Sequence, residues 1–162
     1  MKMASRLLVA AAAIIGLAIA SAADAQRLAR FDGGIGVIPT GSTNTTVRGV
    51  APAGQIWVIR ELRADVRTDG SIRVDGRGLL LGAGNNIGLN ANASVFATLI
   101  CETAAPFVQR NTTLTGVPLE ANGDFRIDDV LTPAPAGECE SPVLLIRNAA
   151  NGGWFAGGIP RH

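Results

Sequence analysis

The chain has 162 residues, with 14 Lys plus Arg against 13 Asp plus Glu, one His, no Tyr and two Cys. That length makes one domain of ordinary size, and near-neutral charge argues against nucleic acid and anionic membranes as partners, because both demand a concentrated positive field. The single histidine is the last residue, His162, so the usual general base and the commonest metal ligand are absent from the body of the chain.

Lys2 and Arg6 precede an uncharged run from Leu7 to Ala20 and the small-residue stretch Ser21-Ala22-Ala23-Asp24-Ala25. This three-part order predicts a secretory signal cleaved before Gln26, since the run is shorter than the roughly 20 residues that a membrane-crossing helix needs. The expected organisation is a signal peptide over 1–25 and a single β domain over 26–162, exported to a periplasmic or extracellular location, with no membrane span in the mature chain. That mature chain carries 12 Arg, no Lys and 12 Asp plus Glu.

Beyond the leader no segment sustains helical periodicity. Short apolar or alternating runs instead recur between Gly, Pro, Asn and Asp clusters, which is the pattern of an all-β chain. Strands are expected near 33–38, 44–50, 55–67, 71–75, 78–82, 94–101, 106–110, 112–119, 124–130, 143–148 and 153–157, folded as one antiparallel β-sandwich-like domain. A transmembrane barrel is disfavoured, because it needs aromatic girdles and lipid-facing apolar alternation.

Between Glu61 and Asp75, Leu62, Ala64, Val66, Ile72 and Val74 alternate with charged and polar residues. A two-residue Asp69-Gly70 loop would put Val66 opposite Arg73. A three-residue loop, Thr68-Asp69-Gly70 with Gly70 in the left-handed position, pairs Val66 with Ile72 and Ala64 with Val74 and leaves Arg and Asp facing each other on the wet side. Burial fixes register, so the three-residue loop is expected. A second hairpin is expected around Asn122-Gly123, with Leu119 opposite Phe125, Val117 opposite Ile127 and Glu120 opposite Asp124, where Arg126 is a candidate to relieve the facing acids.

Cys101 and Cys139 match no zinc or thioredoxin-type spacing, and in an oxidising compartment they are expected to form a structural disulfide. Cys139 falls in the Pro-rich stretch from Leu131 to Pro142, which the bond would pin.

Schiff-base and phenol chemistry are missing with Lys and Tyr. Paired carboxylates remain: Glu120, Asp124, Asp128 and Asp129 cluster on the second hairpin and could supply a small glycan hydrolase or a calcium site, although their alternation with Phe125, Arg126 and Ile127 also fits a solvated strand edge. The Gly82–Gly88 segment lacks the spacing of a phosphate-binding loop and reads as a turn between strands. Trp57 reads as core, whereas Trp154, in a Gly-rich turn, is the candidate exposed aromatic. The expected role is an exported, non-enzymatic module with a binding, assembly or structural function and an unknown protein or glycan partner. The alternatives are the carboxylate-dependent hydrolase and a calcium- or carbohydrate-binding module. No cofactor is called for; the candidate ligand contacts are Trp154, Glu120, Asp124 and Asp128.

Overall fold

The computed structural model describes residues 25–40 and 45–162, so the expected leader, apart from Ala25, lies outside the described residues. In chain order the strands are β1 (Arg27–Gly36), β2 (Trp57–Val58), β3 (Glu61–Arg67), β4 (Ser71–Arg77), β5 (Leu80–Leu81), β6 (Ser94–Ile100), β7 (Arg110–Asn111), β8 (Val117–Pro118), β9 (Phe125–Val130), β10 (Val143–Asn148) and β11 (Trp154–Pro160). Among the described residues there is no helix long and apolar enough to cross a membrane.

All pairings between strands are antiparallel. Nine strands form one sheet in the order β7-β6-β10-β11-β1-β3-β4-β9, with β8 also on β6. The two ends of that sheet nearly meet. Asn111 of β7 and Thr132, just past β9, exchange backbone hydrogen bonds of 3.0 and 2.8 Å, so the sheet curls into an almost closed, barrel-like sandwich and leaves little open edge. The two-stranded β2–β5 sheet packs at one end, where Trp57 stacks on Phe155 of β11 with ring centroids 3.9 Å apart. Phe31, Leu62, Ile72, Leu99, Leu144 and Ile146 are among the residues that fill the interior.

The β3–β4 hairpin has the expected register: Val66 faces Ile72, Ala64 faces Val74, Asp65 faces Arg73 and Arg63 faces Asp75. Gly70 holds the left-handed position at φ +87. The wet face of this hairpin extends across β1 and β9, opposite in character to a lipid-facing band.

The second hairpin differs. Its turn closes, with Glu120 N–H donating to Asp124 O at 2.9 Å and Gly123 N–H to Glu120 O at 2.8 Å. The expected ladder beyond it does not form, because Val117 pairs with Val95 and Ile127 pairs with Val74. The reason lies in β4: Gly76 faces Phe125, and a Cβ at Gly76 would come within 2.1 Å of the Phe125 ring. A missing side chain thus makes room for the ring, and β9 docks on β4 instead of folding back on β8.

Further strand expectations change: of 106–110 and 112–119 only Arg110 and Val117–Pro118 lie in strands, and three others shift. β1 begins at Arg27, earlier than 33, because Ala29 and Phe31 already point inward between exposed or half-buried neighbours. The 55–67 run divides at Ile59-Arg60 into β2 and β3, which belong to different sheets. Of the expected strand 44–50, Asn44 lies outside the described residues; the rest is a tight turn in which Val47 and Val50 exchange two 2.9 Å hydrogen bonds around Arg48 and Gly49, both at positive φ. Residues 45–53 then run along the outside of β11, with Trp154 N–H donating to Ala51 O and Ala53 N–H to Trp154 O. β6 is buried on both faces, with Arg147 lying over the Phe96 ring and Thr98 Oγ1 donating to Asn111 Oδ1 at 2.6 Å on one of them.

Cys101 and Cys139 form a disulfide with Cα atoms 4.6 Å apart. It ties the Pro-rich loop to the end of β6 as expected. The same loop is held by Leu131 N–H donating to Gly70 O, by Ser141 N–H donating to Cys101 O, and by Arg48, which donates to Ser141 O and Oγ at 2.6 Å each.

Candidate functional site

The candidate carboxylates are each engaged in the fold's own hydrogen bonding, Glu120 excepted. Asp124 Oδ1 accepts from Gly78 N–H at 3.0 Å and its Oδ2 from Asn122 Nδ2 at 3.1 Å, so it ties its turn to the end of β4. Asp128 pairs with Arg73 at 2.9 Å. Asp129 accepts from Thr113 N–H and Val130 N–H at 2.8 Å each, and these donors, Thr113 first, hold its carboxyl below the ordinary carboxylate range. Arg126 turns to Asp75, at 2.6 Å, and not to the Glu120–Asp124 turn. Among the described residues no group of three or more His, Cys, Asp or Glu side chains is placed to hold a metal. Of the four acids only Asp128 lines one of the main clefts, an open one of about 480 Å³ that it shares with Arg27, Asp65, Arg67 and Arg73.

That cleft belongs to a charged face of unusual regularity. Strand pairing aligns Arg30 with Asp65, Asp65 with Arg73 and Arg73 with Asp128; the next row aligns Asp32 with Arg63, Arg63 with Asp75 and Asp75 with Arg126. Sign alternates across both rows, whereas at the start of β1 Arg27 faces Arg67. Close pairs include Arg27–Asp65 at 3.1 Å and Arg63–Asp32 at 3.6 Å. The result is locally neutral and strongly hydrated, with little field at a distance.

Trp154 is buried, at 8% exposure, and its Nε1 donates to Thr45 O at 2.8 Å; it is not the exposed aromatic that the sequence suggested. The pairing of β10 with β11 slips between Ile146 and Arg147, leaving Phe155 as an extra residue in the β11 strand. This turns Phe155, not Trp154, toward Trp57. Beside Trp154, Arg147 is also committed: it donates to Gly152 O at 2.7 Å and to Gln109 Oε1 at 2.8 Å and lies over the Phe96 ring, and burial lowers its pKa from the usual arginine value.

At the end of the barrel away from the disulfide, the segment before β2, the loop before β6 and the β10–β11 loop surround a cleft of about 460 Å³. Its walls carry Gln55, Asn92, Ser94, Asn148 and Asn151, and the stacked Trp57–Phe155 pair forms its floor. Asn148 Oδ1 accepts from Ala150 N–H at 2.9 Å and Asn151 Oδ1 from Gly153 N–H at 3.0 Å. These bonds shape the turn, and among the described residues nothing accepts from the carboxamide N–H groups. On the facing rim, Ala91 and Asn92 are consecutive non-glycine residues in the left-handed region, at φ 52 and 49. Such a pair is the centre of a type I′ turn, closed by Ala93 N–H donating to Asn90 O at 3.1 Å, and a side chain can anchor a turn of this kind. Here Asn90 does so: its Oδ1 accepts from Asn92 N–H and its Nδ2 donates to Leu119 O and Glu120 O. A neighbouring cleft of about 330 Å³, lined by Asn85 and Asn86, shares Gly54 and Gln55 with the first. Neither lining includes a charged side chain.

Sequence reasoning passed over Gln55, Asn92, Asn148 and Asn151. Asn is the expected residue of turns, and Asn92 also opens an Asn-Ala-Ser glycosylation sequon, so nothing in the string marked these residues as one cluster. No protein family, no curated protein and no solved structure matches the chain.

Proposed function

We propose that the protein is an exported, non-enzymatic module that works outside the cytoplasm by binding or assembling with a protein or glycan. The observation that carries this reading is the engagement of three of the four candidate carboxylates of the second hairpin. Asp124, Asp128 and Asp129 are held by Gly78 N–H, Arg73 and Thr113 N–H respectively, and a glycosidase needs two carboxyls converging on one concave site, one of them desolvated. The disulfide agrees with an oxidising compartment. The test is to incubate the purified, oxidised protein with an extracytoplasmic extract of its source and with a panel of glycans, following both retention and product release. Retention without turnover is expected. Turnover that is lost in Asp128→Asn would favour the hydrolase, and a strict monomer that retains neither protein nor glycan would overturn the module reading.

A further inference from the structure

We propose that the amide-lined cleft at the β2–β5 end binds a neutral, polyhydroxylated ligand, a segment of glycan chain. The inference rests on the binding-module reading above and assigns it a site and a ligand class.

The functional groups select the ligand. With the oxygens of Asn148 and Asn151 engaged by backbone N–H groups, what these side chains offer is N–H donors, joined by the full amide of Gln55 and by Asn92. Donors without formal charge match hydroxyl, ring and acetamido oxygens. They give an anion no counter-charge; an anion has better prospects at Arg27, Arg67 and Arg73, in the cleft at the opposite end. The Trp57–Phe155 floor supplies an apolar surface for the C–H face of a sugar, in the usual pattern of a mostly apolar base and a few placed polar groups. Both rings are nearly buried, at 4% and 2% exposure, so recognition depends on the amides more than on stacking.

The geometry adds two independent observations. The type I′ turn at Ala91–Asn92, closed by Ala93 N–H on Asn90 O at 3.1 Å and tied down by the Asn90 side chain, holds the Asn92 amide in place on the rim. The second cleft then continues the surface past Gly54–Gln55 with Asn85 and Asn86. A chain of several sugar units, laid across the Gln55 ridge, would meet amides on both sides of it.

The experiment titrates the oxidised protein with chitopentaose, cellopentaose, maltopentaose and mannopentaose, and in parallel with heparin and alginate oligosaccharides. The readout is amide chemical shifts by NMR. At least one neutral pentasaccharide should move the Asn92, Asn148 and Asn151 side-chain amides and saturate. Asn148→Asp and Asn151→Asp keep the oxygen that each turn requires and remove the donors; each should weaken binding by about tenfold, the worth of one good hydrogen bond. Gln55→Ala, at an exposed position with no side-chain bond to any described residue, should weaken it similarly with unchanged thermal stability, which keeps the test open if an Asn variant fails to fold. Asp75→Asn on the charged face should leave binding unchanged. No saturable shift with any of the four neutral sugars, the same affinity in all three cleft variants, or binding of the charged oligosaccharides alone would overturn the site. A sugar that binds in the cleft and is then shortened would keep the site and overturn the non-enzymatic reading. Retention of a protein partner, with no sugar bound, would do the reverse.

Discussion

The two ends of the barrel are built on opposite terms. At the end where β1 starts and β6 finishes, the Cys101–Cys139 bond, Arg48 on Ser141 and Leu131 N–H on Gly70 O tie a Pro-rich loop that cannot form its own ladder, and Glu102 pairs with Arg110 at 2.7 Å beside it. At the end where β1 finishes and β6 starts, the turns are shaped with half of each amide and the other half is left over. One end is braced beside an open, charged cleft. The other presents fixed donors that no group among the described residues satisfies, which is the property a binding surface needs and a purely structural cap does not.

The largest effect that separates the two ends should come from the disulfide. Replacing both cysteines with Ser opens a crosslink spanning 38 residues and should cost about 2–5 kcal/mol in urea unfolding, while the native protein should show no titratable thiol. If the ends are independent, the NMR signals of Asn92, Asn148 and Asn151 in the folded double variant will stay where they are. Shifts at that far end would mean that the staple also tunes the cleft. Next in size is Gly36→Ala. A Cβ at Gly36 would stand 2.0 Å from Trp57 O, so β2 must move away from β1; overpacking of this kind costs about 1–3 kcal/mol. Here the comparison reverses: the Trp57–Phe155 floor should be disturbed while the disulfide end keeps its protection against hydrogen exchange.

What could be read from the sequence divides along a similar line. The β3–β4 register was legible because alternation, burial and a turn glycine all lie within fifteen residues and agree. The partner of β9 was not, since it depends on the absence of a side chain at Gly76, far away in sequence, that lets Phe125 pack. The exchange of Trp154 for Phe155 as the inner aromatic has the same origin: one extra residue in β11 reverses which side each ring faces, and no local pattern announces it. The disulfide was legible by elimination, there being two cysteines and no motif. The cleft was not, because its amides come from three loops and each, taken alone, is an ordinary turn former.

A third test probes how the braced end responds to acid. Hydrogen bonding from Arg110, helped by the N–H of Val108 and opposed by burial, lowers the Glu102 pKa from 4.5 to about 2. A carboxyl depressed in the folded state contributes its full stability above its unfolded value, and the contribution is lost as pH falls through the folded one. Stability should therefore drop between about pH 4.5 and 2. In Glu102→Gln that part of the drop should be gone, with the variant already less stable at neutral pH because Arg110, at 8% exposure, has lost its counter-charge. An unchanged acid profile in Glu102→Gln would show that other groups govern the acid response.

The smallest effect is expected on the charged face, and it bears on whether that face is a network or a set of separate pairs. Asp75 sits between Arg63 and Arg126 across the strands and accepts from Arg126 Nε at 2.6 Å. With the Arg126 side chain 73% exposed and that of Asp75 42%, water screens the pair, and exposed pairs of this kind contribute about 0.2–1 kcal/mol. If the rows act as separate pairs, Asp75→Asn should cost a few tenths of a kcal/mol, and the difference should vanish in about 0.5 M salt, where the screening length is only several ångströms. If the alternation makes them a network, the same change leaves two arginines flanking a neutral residue and should cost more than about 1 kcal/mol, with the loss reduced when Arg63→Gln is added. The separate-pair outcome is expected, because each arginine that loses Asp75 keeps a second acid beside it, Asp32 at 3.6 Å for Arg63 and Asp128 two residues along β9 for Arg126. The face would then serve to keep four strands wet on one side, and the uncommitted chemistry of the molecule would remain at its amide end.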